Sequence, residues 1–94
     1  MGLLQPRTAR FGDVTGAVSV LSTATLIYRA DGNRDSLMIY NNGSETIYLG
    51  ATESVTTSTG YPVTAASAAP WFGVGACYGI CATGPVDTRF HNAD

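Results

Sequence analysis

The chain has 94 residues, no lysine, only 13% charged residues and a formal net charge of −2. That length makes a single domain able to bury roughly 60–65% of the surface its unfolded form exposes, with no room for a second core. A composition that is 45% hydrophobic excludes a disordered chain, and the sparse, slightly acidic charge argues against nucleic-acid binding, which depends on neutralising several phosphates at once.

Glu, Lys and Gln together number three, whereas Thr numbers twelve, Gly eleven and Ser seven. The best formers of exposed helix are therefore missing, and β-branched, aromatic and turn-forming residues replace them. This predicts an all-β fold: a small single-domain β-sandwich or barrel with an extended N-terminal arm. The expected division is an arm over 1–16, a β-domain over 17–90 and a tail over 91–94.

Within 1–16, Leu3, Leu4 and Phe11 are scattered among Arg7, Arg10, Gly12, Asp13 and Gly16 with neither a two-residue nor a 3.6-residue period. An aperiodic segment of this kind reads as an arm tied to a neighbouring chain. No run of apolar residues reaches signal-peptide or membrane-span length, so the expectation is a protein made in the cytoplasm, not exported and not embedded in a membrane. Met1-Gly2 lacks the downstream Ser or Thr that an N-myristoylation pattern needs, since Pro6 stands there.

Residues 17–30 contain neither Gly nor Pro and could be drawn as a helical stripe, but Val18, Val20, Ile27 and the Ser/Thr cluster favour one long strand or two short ones. Asp31-Gly32-Asn33 supplies a turn. From Ser36 to Asn41 apolar Leu37 and Ile39 alternate with Met38 and Tyr40, and Glu45 to Leu49 runs on as a second strand. The Asn41-Asn42-Gly43 turn between them predicts a hairpin. Thr52 to Thr59 is polar with a short strand expected around Val55, Gly60-Tyr61-Pro62 reads as a break, and Ala65 to Pro70 reads as loop. A last strand pair is expected at 76–82 and 86–90, around Thr83-Gly84-Pro85.

Chemistry is scarce in this pattern. His91, the one histidine, falls beyond the last expected strand and reads as a solvated tail residue. Without lysine, and with that histidine peripheral, the usual activators of a Ser, Thr or Cys nucleophile are missing, so no catalytic role and no cofactor are expected. Asp31 and Asp35 sit in a turn, where Asp bonds its own backbone, and lack the run of oxygen ligands that a Ca²⁺ loop requires. Cys77 and Cys81 on one strand would lie about 13 Å apart, beyond disulfide reach, and read as small buried residues with no metal role. Asn42-Gly43-Ser44 matches a glycosylation sequon but reads as a turn.

Trp71-Phe72, between Pro70 and Gly73, forces two large rings in different directions: either one caps the core and the other faces out as a candidate interface anchor, or both pack under the Ala-rich loop. Arg29, Arg34 and Arg89 read either as carboxylate forks or as exposed solubilising residues.

The stretch Arg34-x-x-Leu37-x-Ile39-x-Asn41-Asn42-Gly43, with Ile47-Tyr48-Leu49-Gly50, Val55-Thr56, Gly60-x-Pro62-Val63, Ala76-Cys77-Tyr78-Gly79-Ile80 and Val86-Asp87-Thr88-Arg89-Phe90, resembles small virion proteins of tailed bacteriophages. It spans roughly residues 17–90; the cysteines stand where such sequences carry plain apolar or small residues. The resemblance implies a head decoration (cement) protein that binds the outside of the capsid, with the major capsid protein as partner and no catalytic residues. A homo-oligomer is expected, a trimer in preference to a dimer. The interface residues expected are Leu3, Leu4, Arg7, Arg10, Phe11, Trp71 and Phe72. The alternative is a head-fibre or tail module that recognises a host surface ligand through Tyr40, Tyr48, Tyr61 or Trp71.

Overall fold

The computed structural model describes residues 13–94. Eight strands follow in chain order: β1 (Val14–Val20), β2 (Thr25–Tyr28), β3 (Ser36–Asn41), β4 (Ile47–Gly50), β5 (Tyr61–Val63), β6 (Ala68–Trp71), β7 (Cys77–Cys81) and β8 (Val86–Ala93). Two four-stranded antiparallel sheets hold them, one ordered β1-β8-β3-β6 and the other β2-β7-β4-β5.

The pairs β1·β8, β2·β7, β3·β6 and β4·β5 are nested, as in a single long hairpin whose tip is the β4–β5 connection. Rolling that ribbon brings β8 against β3 and β7 against β4. Every connection except β4–β5 therefore passes from one sheet to the other. This strand order is that of an eight-stranded jelly roll.

The core follows from alternation along these strands. Leu37 and Ile39 of β3 and Val86 of β8 point inward from the first sheet; Ile27, Ile47, Leu49, Val63, Cys77 and Cys81 meet them from the second. Complete burial of one Leu or Ile contributes about 1.5–3 kcal/mol. Tyr28 and Phe90 complete one side, with ring centroids 5.1 Å apart across the two sheets.

The expected hairpin is absent. β3 and β4 lie in different sheets and face each other across the core, so the Asn41-Asn42-Gly43 turn crosses the sandwich. Asn41 explains why: it is completely buried, its Nδ2 donates to the carbonyls of Glu45 (2.6 Å) and Val63 (2.9 Å), and its Oδ1 accepts from the Gly43 amide. The strands expected near 76–82 and 86–90 exist as β7 and β8 but also belong to opposite sheets. Inward alternation is the same for a hairpin and for a crossing, which is why the pattern does not separate them.

Three further expectations change. Val55 is buried in the β4–β5 loop rather than in a strand, in a space left by Gly50 and Gly60, where any Cβ would clash with it. Residues 61–63 and 68–71, expected as a break and a loop, form β5 and β6, with Pro62 and Pro70 tolerated because both strands are sheet edges. The ladder also runs past both expected boundaries: Val14 to Gly16 pair with Asn92 to Phe90, which draws part of the expected arm and of the 91–94 tail into β1 and β8. The inward positions there are Gly16, roofed by the Phe90 ring, and Asn92, a buried amide, so no apolar alternation marks them.

Candidate interaction surface

Two features concentrate unusual side chains: a polar cluster built on Arg34 and an aromatic rim built on β5 and β6. Arg34 is 7% exposed. Its Nε donates to Oδ1 of Asn92 (2.6 Å), Nη1 to the carbonyls of Gly75 (2.8 Å) and Gly73 (3.2 Å), and Nη2 to the carbonyl of Arg29 (2.6 Å). The guanidinium also lies 5.8 Å from the Tyr28 ring centroid. Arg34 is thus neither of the roles read from the sequence. It is a buried clamp on main-chain oxygens, binding the start of β3 to β8 and to the β6–β7 loop.

Beside it, Nδ2 of Asn92 donates to both Asp31 (3.2 Å) and Asp94 (3.1 Å). The hydrogen bond between these two carboxyls holds Asp31 below the usual carboxylate range and lifts Asp94 above it. The Asp94 amide donates to Asp13 at 3.0 Å, fastening the start of β1 to the end of β8. Asp31 also accepts from the Asn33 amide, so the predicted turn at 31–33 is real and its acid is structural.

The other two arginines of the described residues, Arg29 and Arg89, lie on the surface. Arg29 stacks on Tyr28 at 5.1 Å. Arg89 forms a two-point bond with Asp87 (3.1 and 2.8 Å), which lowers the Asp87 carboxyl and raises the guanidinium. His91 is exposed, but on β8 rather than in a tail.

Cys77 and Cys81 are unbridged and point into the core. Burial pushes the Cys77 thiol up to about 12, and burial, aided by the charge of Glu45, raises Cys81. Neither thiol is a nucleophile in the folded protein.

The aromatic rim gathers exposed apolar side chains at one edge of the described fold. Trp71 turns inward, half-buried against the core, and Phe72 turns out with 86% of its surface exposed. Gly73 follows with φ of 86°, a left-handed conformation that lets the chain reverse there. Tyr61 of β5, 64% exposed, stands with Pro70, Trp71 and Phe72 around a depression of about 500 Å³. Of the two arrangements the sequence leaves open, the structure has one ring in and one out, with phenylalanine as the outward ring.

Of the other expected interface residues, Leu3, Leu4, Arg7, Arg10 and Phe11 lie outside the described residues. Of the tyrosines, the structure joins only Tyr61 to this rim; Tyr40 and Tyr48 sit on the outer faces of opposite sheets. Pro70 was missed, and only its place before Trp71-Phe72 hinted at it. No family model matches the chain, and neither a curated protein nor a solved structure matches it.

Proposed function

We propose that this chain is a structural virion protein that binds the outside of a bacteriophage capsid and stabilises the shell as a decoration protein. In this reading it is made in the host cytoplasm and ends on the capsid surface, with the major capsid protein as partner, no catalytic role and no cofactor. The observation that carries the reading is the aromatic rim, where exposed Tyr61 and Phe72 stand with Pro70 and Trp71 as apolar and aromatic side chains of the kind that anchor protein contacts. The jelly roll supports it by analogy alone, being an architecture that viral capsid domains share with lectins and cupins. Binding only the assembled shell shifts the equilibrium toward it, and repetition over a lattice makes weak contacts sufficient.

The test is the copy number of the chain per purified particle, measured by quantitative mass spectrometry against the major capsid protein. A fixed ratio amounting to hundreds of copies fits decoration, and absence from particles removes the proposal. At the rim, Phe72→Ser with Tyr61→Ser is expected to lower shell binding at least about tenfold while leaving the fold intact.

A second reading, a fibre or tail module recognising a host ligand, is favoured by one observation: Tyr61 and Trp71 share the rim depression. It predicts about a dozen copies per particle, and host-surface binding that Tyr61→Ala with Trp71→Ala abolishes.

A further inference from the structure

The two sheets have four edges, and three are guarded against pairing with another strand. β2 has four residues and a register slip between Leu26 and Tyr28; β5 has three residues and contains Pro62; β6 has four and contains Pro70. Short length, irregular register and proline are the devices that blunt an edge. The fourth edge, β1, has none of them. Its seven residues, Val14-Thr15-Gly16-Ala17-Val18-Ser19-Val20, include no charge and no proline, and its ladder with β8 is unbroken from Val14 to Val20. Among the described residues no strand covers its other side.

The sequence of this edge is close to its own reverse. Laid antiparallel on itself about Ala17, it sets Val14 against Val20, Thr15 against Ser19, Gly16 against Val18 and Ala17 against Ala17, with no bulky or like-charged opposition. The outer row Thr15, Ala17 and Ser19 is small and exposed, so among the described residues no large side chain of this row obstructs the approach.

We propose that β1 is a self-pairing edge, through which two copies of this chain join about a two-fold axis into one eight-stranded antiparallel sheet. Main-chain hydrogen bonds supply the affinity, and the near-palindromic side-chain order supplies the register. Association stops at two because β1 is the one unguarded edge and an isologous contact closes on itself. The inference goes beyond capsid decoration and does not depend on it.

The test is the oligomeric state of the full chain, by sedimentation or light scattering from about 1 to about 300 µM, where a contact of this small size is expected to equilibrate. Two variants fix the register. Ala17→Glu gains an internal partner, since Ala17 lies opposite Arg89 in the β1·β8 ladder, but sets two carboxylates face to face across the two-fold axis. It is expected to weaken the dimer at least about tenfold. Thr15→Glu with Ser19→Lys sets each new charge opposite its complement in the second copy and beside His91 or Asp87 in its own ladder, so dimerisation is expected to persist within about threefold. Circular dichroism confirms that both variants fold. A monomer throughout the concentration range, a trimer or larger closed species, or a dimer unmoved by Ala17→Glu overturns the proposal.

Discussion

At the residue scale, stability depends on a few buried polar groups whose bonds are all made: among the described residues no buried side-chain nitrogen or oxygen lacks a partner. Replacing Arg34 by Met leaves three carbonyls and the Asn92 amide oxygen without their donor, and is expected to cost about 3–5 kcal/mol in urea denaturation. Arg34→Lys should recover little, because an ammonium cannot reach acceptors spread around a planar fork. The Asp31–Asp94 pair gives a signed pH effect. Asp94 has its folded pKa raised, so its protonation stabilises the fold fully below its unfolded value near 3.8, and that contribution is lost as pH rises through the folded value. Asp94→Asn keeps a neutral donor toward Asp31, so it should be more stable than wild type at neutral pH and indistinguishable near pH 3, as denaturation midpoints across that range will show. None of this was legible beforehand. Arg34 looked like any surface arginine, because its acceptors are carbonyls and an amide brought in from positions 29, 73, 75 and 92.

At the element scale, composition and alternation located most strands but not their partners. Leu37, Ile39, Ile47 and Leu49 all face the core, as their spacing indicates, yet whether Asn41-Asn42-Gly43 folds back or crosses over is decided by where the Asn41 amide is satisfied. Asn41→Ala strands the carbonyls of Glu45 and Val63, and is expected to lose about 2–3 kcal/mol by chemical denaturation. The β5 and β6 strands escaped notice because Pro62 and Pro70 signal breaks everywhere except at an edge. Between those strands Ala66 holds φ of 58°, in the left-handed region, while its amide donates to the Asn41 carbonyl. Ala66→Gly relieves that strain at some cost in unfolded-state entropy, so a gain of up to about 1 kcal/mol is expected in the same measurement. The rim was half legible: Trp71-Phe72 offered an outward ring as one of two arrangements, but only the crossing from β5 to β6 brings Tyr61 beside it.

At the scale of the whole molecule, the all-β class followed from what the composition lacks, whereas the jelly roll did not, since it is a matter of long-range pairing. β1 bonds to β8 and β2 to β7, so closure joins segments far apart in the chain. Such topologies fold slowly. Refolding is expected on the order of milliseconds to seconds, followed by the fluorescence of the single tryptophan, half-buried Trp71; a microsecond phase carrying the full amplitude contradicts this account.

The position of β8 also bears on how the protein is made. It is the last of these eight strands to be synthesised, yet it lies inside its sheet, bonded to β1 on one side and β3 on the other. While translation proceeds, β1 and β3 have no template between them, and the first sheet cannot assemble until β8 leaves the ribosome. A product that stops before Val86 keeps β1 and β3 apart and the core open to proteases. The strand made last of the eight is thus the one that joins the first sheet together.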